Sequence, residues 1–349
     1  MPDPRTDPAL RRRRAPASGS TRRAARPEND RRRATAMSRS SPWHWSALAD
    51  TWTLEPAVAA LTVLLAGSYL VGVRRRGGWP WYRTAAFLGG LAVWVWTTSS
   101  GLGVYERVLF TDRAVQLVLL LMLVPLLLAL GAPVSLLADT LPAAGRERLR
   151  AALGGRVSRV LMFPLVSTVL LVAPPWLLYF TPWYRETLTS TAGNIGFHLL
   201  LVLLGLLYFW PRLQLDPVAH EYPLLLSVVI TFVEVVFDAA LALVLLYGGR
   251  LIAEPYYASL ARDWGPSLAR DQFVGGNAIW ILGDLVGLPF LVALIRRLIV
   301  TGRAETAAVD AALDAAEQAA ERAVDAGEAP AGDRPWWLDD PNLRHRYGG

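Results

Sequence analysis

Glu234 and Asp238 stand four residues apart in one apolar stretch, so on a helix they share a face. Asp284 lies in a later stretch, with Asn277 two turns before it, and His198 lies in an earlier one, with Asn194 one turn ahead on the same side. Arg113 and Gln116 open another, directly after Asp112. Ionisable groups inside apolar segments are costly in lipid and mark functional positions by default. If these side chains converge in one bundle core, two chemistries are open to them. They could handle protons, bind a metal or sit beside a haem, or they could form an Arg–carboxylate and amide network that only fixes helix packing. Asp271, ahead of the last stretch, reads either as the N-cap of that helix or as a polar group at the mouth of the bundle.

The elements that must position these groups are long apolar runs, at residues 56–73, 84–99, 114–138, 160–180, 192–210, 222–247 and 272–298. A helix needs roughly 20 mostly apolar residues to cover a bilayer core. The fold class expected is therefore all-α, a polytopic membrane protein with a seven-transmembrane-helix bundle and the lipid bilayer as its solvent. The second run is the shortest. Pro125, Pro164 and the pair Pro174–Pro175 are expected to kink spans three and four, with neighbouring helices satisfying the freed carbonyls. Gly275 and Gly276 should let the last span approach another helix closely. Continuous Leu–Val–Ala runs exclude a transmembrane barrel, whose strands alternate polar and apolar residues.

Composition removes several function classes. The chain has no Cys, which excludes disulfides, iron–sulfur clusters and thiolate copper sites. Every basic residue is Arg, and without Lys a retinal Schiff base cannot form. No Walker loop, Gly-x-Ser-x-Gly or His-Glu-x-x-His is present, and Gly101-Leu-Gly103 follows no strand, so the chain does not read as an enzyme.

Residues 1–54 read as a disordered Arg-rich tail, with Met37 as an alternative start; no folded reader accompanies the Arg blocks, and no nucleic-acid partner is expected. Residues 55–300 form the membrane domain. Residues 301–349 read as a cytoplasmic extension, an Ala-rich helix over 304–326 followed by an acidic tail in which Trp336, Trp337 and Leu338 could dock a partner. Arg74–Arg76 and Arg83, the Arg residues of 146–159, and Arg296, Arg297 and Arg303 fall on one side of a seven-span chain. The positive-inside rule makes that side cytoplasmic, the C-terminus inside and the N-terminus outside. Tyr256, Tyr257 and Trp264 are expected as an aromatic surface at the outer mouth.

Three strings carry a family resemblance. Val108-Leu-Phe-Thr-Asp-Arg-Ala-Val-Gln116, running on to Pro125 and to Leu130-Gly-Ala-Pro133, resembles the third-span signature of CtaG-type cytochrome c oxidase assembly factors. Phe197-His198 through Phe209-Trp-Pro211 is similar to that family's His-led span, and Asp271-Gln-Phe-Val-Gly-Gly276 with Ile279-Trp280 and Gly283-Asp284 to its last span. The resemblance covers roughly residues 55–300. It implies a multi-pass protein of the bacterial plasma membrane that helps build haem–copper oxidase, with oxidase subunits as partners and copper delivery as the suggested role.

The same resemblance implies two His four residues apart in the third span, where this chain has Arg113 and Leu117, and a His in the sixth, which here reads Val235-Val-Phe-Asp238. His198 is the one remaining metal-ligand candidate, with Met122 and Met162 the only Met in spans. Soft Cu(I) wants Cys, Met or His. The reading is a divergent assembly factor with its copper ligands partly lost and Arg113 paired with Asp238 or Asp284. Two alternatives stand beside it: a small-solute or ion transporter using Glu234, Asp238, Asp284 and His198, and a membrane scaffold recruiting a partner through its C-terminal tail.

Overall fold

Apolar runs of this length satisfy their own backbone only as helices, and in the computed structural model every regular element among the described residues, 42–217 and 224–325, is helical. Most of the Arg-rich N-terminal segment, with Met37, and the Trp336–Leu338 motif lie outside those residues. Six helices are long and apolar enough to cross a membrane: Pro56–Arg76, Trp81–Tyr105, Phe110–Thr140, Thr191–Leu213, Leu225–Tyr247 and Leu268–Val300. The fourth apolar run is instead a bent pair, Pro164–Phe180 and Trp183–Thr189, turning by 79°. The expected seven spans are thus six, or seven if the bent pair counts as one. They are numbered one to seven below, with the bent pair as the fourth.

The prolines act differently from expectation in span four. Pro164 does not kink a helix but begins one, at the position where its missing N–H costs nothing. Pro174 and Pro175 lie inside Pro164–Phe180, and the sharp bend falls after Phe180, at Thr181–Pro182. Pro125 does distort span three. The turn before it, Leu119–Leu123, is a π-helix, as fits a ring that collides with the carbonyl four residues earlier. That carbonyl, Leu121 O, lies against Gly205 of span five, where a Cβ would stand 2.1 Å from it. Gly275 plays the same part between spans seven and three: a Cβ there would meet the Phe110 ring at 2.5 Å. The close approach read from Gly275–Gly276 is therefore present.

Two helix N-termini are capped by carboxylates from far along the chain. Asp271 does not cap its own helix. It sits in the first turn of Leu268–Asp325 and reaches across to span three. Its carboxylate accepts the Phe110 and Thr111 N–H groups at 3.0 and 3.1 Å and the Thr111 hydroxyl at 2.7 Å. Asp216, after span five, accepts the N–H groups of Val134 and Ser135 at 3.1 and 2.6 Å, capping the helix Pro133–Thr140. At the same end, Arg76 and Asp139 pair at 2.8 Å across the ends of spans one and three.

The chain divides into two compact units, Met1–Leu291 and Val292–Gly349. All polar sites described below belong to the first. In the second, the described residues are helical, with Ile299, Val300, Val309 and Leu313 exposed. The separate helix expected over 304–326 is part of Leu268–Asp325. Gly302, with no Pro after it, weakens a helix by about 1 kcal/mol and does not end it.

Gly205→Ala should destabilise the protein by about 2 kcal/mol or more, since the obstructing atom is backbone. Gly196→Ala on the same helix, with nothing within 4 Å, should leave the thermal midpoint in detergent unchanged or slightly raised.

Candidate functional site: a buried guanidinium held by four polar side chains

Arg113 lies in the first turns of span three and is completely buried. Its Nη1 is 3.1 Å from Glu106 Oε2, 3.1 Å from Gln116 Oε1, 2.6 Å from Asn194 Oδ1 and 3.2 Å from His198 Nε2. Its guanidinium also stands 4.9 Å from the centre of the Phe197 ring. Asn194 donates through Nδ2 to the other Glu106 oxygen, and Gln116 donates to the Thr97 carbonyl of span two at 3.3 Å. Spans two, three and five therefore meet at one buried polar knot, gathered on Arg113 Nη1, with Nε and Nη2 unpartnered among the described residues.

His198 Nε2 faces two acceptors, Gln116 Oε1 at 3.0 Å and Glu106 Oε2 at 3.1 Å. A proton on Nε2 satisfies both and makes its contact with Arg113 electrostatic rather than a hydrogen bond. Nδ1 has no partner among the described residues.

Sequence reasoning brought four of these residues together: Arg113, Gln116, Asn194 and His198. It missed Glu106, the charge that completes the knot. Glu106 lies in the four-residue link between Tyr105 and Phe110. A lone acidic residue in a link reads as a solvated charge, yet this one is buried. The available signal was the shortness of the link between two apolar helices. Burial alone would push the Glu106 carboxyl up, but the charge and hydrogen bond of His198 and the charges of Arg113 and Arg107 outweigh it, holding the group down at about 2.

The other expected residues lie apart. Arg113 pairs with Glu106, not with Asp238 or Asp284. Glu234 is buried beside Tyr208 of span five, with Oε2 unpartnered among the described residues. Asp238 and Asp284 are half-buried and near enough to repel each other across spans six and seven. Asn277 returns its amide to the Phe273 carbonyl of its own helix at 2.8 Å. Tyr256 and Tyr257 are buried rather than a surface: Tyr257 meets the Tyr184 hydroxyl at 2.7 Å, and Tyr256 donates to the Arg107 carbonyl at 3.0 Å.

The knot does not suit copper. Among the described residues no three His, Asp or Glu side chains group as ligands for a metal. The one imidazole present turns its Nε2 toward a guanidinium 3.2 Å away, which repels a second cation.

The profile of the cytochrome c oxidase caa3 assembly factor (Caa3_CtaG) family matches residues 67–301, which hold the knot, both borrowed caps and every span but the start of the first. The chain belongs to this family. Curated proteins similar to this family member include the uncharacterized protein Mb0105 of Mycobacterium bovis and the uncharacterized protein MT0111 of Mycobacterium tuberculosis, each 31% identical over 255 residues. The uncharacterized protein ML1998 of Mycobacterium leprae is 29% identical over the same length. Each match takes in 70% of this chain and 39% of the relative, so the chain spans about two-fifths of the length of those relatives. No solved structure matches it.

Two outcomes follow from the knot. Arg113 keeps its charge, so Glu106→Gln leaves it uncompensated and should cost about 3–5 kcal/mol of stability; Glu106→Leu combined with Arg113→Met should recover much of that loss in a double-mutant cycle of thermal midpoints. The folded state holds the Glu106 carboxyl below its ordinary value of 4.5. Its contribution is therefore fully present above about pH 4.5 and is lost as pH falls towards about 2, a decline that should be shallower in Glu106→Gln.

Proposed function

We propose that the protein is a non-catalytic, multi-pass assembly factor for cytochrome c oxidase in the bacterial plasma membrane, acting on oxidase subunits through protein contacts. In this reading Arg113 and Leu117 stand where the family resemblance gives an imidazole pair, Arg113 is paired with Glu106 instead of a metal, and the protein does not carry copper there. The N-terminus lies outside and the C-terminus in the cytoplasm, as the Arg distribution suggests.

The observation that carries the reading is the family match over residues 67–301, together with the Arg113 cation 3.2 Å from His198 Nε2. A guanidinium at this spot donates to the Glu106 carboxylate and to the Gln116 and Asn194 amide oxygens, so a cation is already seated among them. The knot then serves as a rigid core for the spans that present the outer surfaces of the bundle. A transporter would use Glu234, Asp238, Asp284 and His198 as one path, whereas His198 Nε2 is closed in by Glu106, Gln116 and Arg113, none of which belongs to that path.

Deleting the gene should lower cytochrome c oxidase content and activity in membranes, and the full chain should restore both. The purified protein should bind less than stoichiometric Cu(I), with His198→Ala making no difference. Unchanged oxidase in the deletion strain, combined with a proton-coupled solute flux lost in Asp238→Asn, would instead make the protein a transporter. Stoichiometric copper lost in His198→Ala would overturn the metal-free form of the reading.

A further inference from the structure

A cavity of about 380 Å³ opens where span three begins, lined on that helix by Leu109, Thr111, Asp112 and Val115 rather than by the residues of the Arg113 knot. Four indoles line it, those of Trp43, Trp45, Trp96 and Trp264, and two carboxyl groups reach it, Asp112 and Asp271. The two acids are not equivalent. Asp271 is consumed by the N-terminus of span three, where it accepts two N–H groups and a hydroxyl. Asp112 is only 4% exposed, and its Oδ2 accepts no hydrogen bond among the described residues.

A buried carboxyl oxygen without a partner costs free energy and calls for an explanation. The nearby cation, Arg262, does not supply one by contact. Its guanidinium lies 5.3 Å from the Trp264 ring centre, donates to the Pro266 carbonyl at 2.6 Å and stands 3.7 Å from Asp271 Oδ2. Trp43 Nε1 is a second buried polar atom at the cavity wall with no partner among the described residues. Trp45, by contrast, is 79% exposed, so the cavity reaches the surface past it.

The volume falls in the range of small-molecule pockets, which are mostly apolar with a few placed polar groups. Indole faces attract positive charge through the ring quadrupole, most strongly when water is excluded. An anion would meet two carboxyl groups. A neutral apolar molecule would leave Asp112 as unpaired as before, and a bare metal ion would find indole where it needs further oxygen or nitrogen ligands. We propose that this cavity binds an apolar organic cation, an ammonium or quaternary ammonium group on an aromatic or aliphatic body, with Asp112 as its counter-ion and the indoles around its charge. The site is independent of the assembly reading and stands or falls without it.

The test titrates benzyltrimethylammonium into the full chain, in neutral detergent and again in phospholipid nanodiscs, and follows Trp fluorescence. Benzyl alcohol and benzenesulfonate serve as neutral and anionic comparators. Saturable binding of the cation alone is expected in both media. It should weaken about tenfold or more in Asp112→Asn and in Trp264→Leu, and stay unchanged in Asp238→Asn. Asp112→Asn preserves shape, and thermal midpoints measured in parallel show that each variant is folded; should one not fold, the other carries the comparison. Equal affinity for benzyl alcohol, an Asp112→Asn variant that binds as the parent does, or no saturable binding at all would overturn the proposal. The nanodiscs are made of phosphatidylglycerol, whose headgroup carries no ammonium, so binding seen in detergent and lost in them would overturn the proposal too: a phospholipid would then be the occupant.

Discussion

A guanidinium stays charged at any pH a cell reaches, so burying Arg113 completely sets the terms for the helices around it. The charge must be paired, and Glu106 can reach it only if the link from Tyr105 to Phe110 folds inward rather than into solvent. Both Glu106 oxygens are then occupied, which draws Asn194 and His198 of span five against the start of span three. Gln116 closes the far side onto span two. A buried pair of this kind is no more stabilising than a well-packed apolar core. What it supplies is register, because sliding span two or span five by one residue against span three would strand a buried polar partner.

Helix ends meet the same demand in another form. The first N–H groups of a helix have no partner within it, and at the edge of an apolar bundle water is scarce. Span three begins on Asp271, which is 161 residues away from Phe110 in sequence, and Pro133–Thr140 begins on Asp216, which is 82 away from Val134. Each carboxylate also lies at the positive end of the helix dipole. Gln272, next to Asp271, holds the turn after span six by donating to the Leu245 and Arg250 carbonyls and accepting from Ile252 N–H. The Asp-Gln step at the start of the last span thus joins three elements. Because the partners are distant, these ends form only once the bundle has assembled.

The sequence made the helices and their approximate bounds legible, since an apolar run of bilayer length has one stable backbone solution. Four of the five side chains of the polar knot were legible for a related reason: Asn194 and His198 are one turn apart, as are Arg113 and Gln116, and an ionisable group in an apolar run points inward. Which acid would meet Arg113 was not legible. Asp238 and Asp284 lie inside spans and Glu106 in a link, and periodicity weighs only the former. The same limit hid Asp216 and Arg212. Arg212 reads as a charge at a helix end, yet it is buried and ties span five to span four through Ser167, Thr168 and the Pro164 carbonyl. Asp271 was recognised as a cap, but the helix it caps is fixed by tertiary contact, which spacing does not encode.

Asp112 and Arg113 are adjacent in sequence and therefore about 100° apart around the helix. One reaches the indole-lined cavity and the other the core knot, while the backbone between Leu109 and Thr111 is held by Asp271. A single turn of span three thus carries three constraints of different kinds: a cap from span seven, a buried ion pair with the preceding link, and an acid without a partner. The first two make the turn rigid. The third leaves a buried carboxyl oxygen without a hydrogen bond on another face of the turn, about 100° round from the knot. No side chain among the described residues supplies a hydrogen bond to that oxygen. A partner for it must come from outside the helix, and the cavity is the side on which the surrounding structure leaves room.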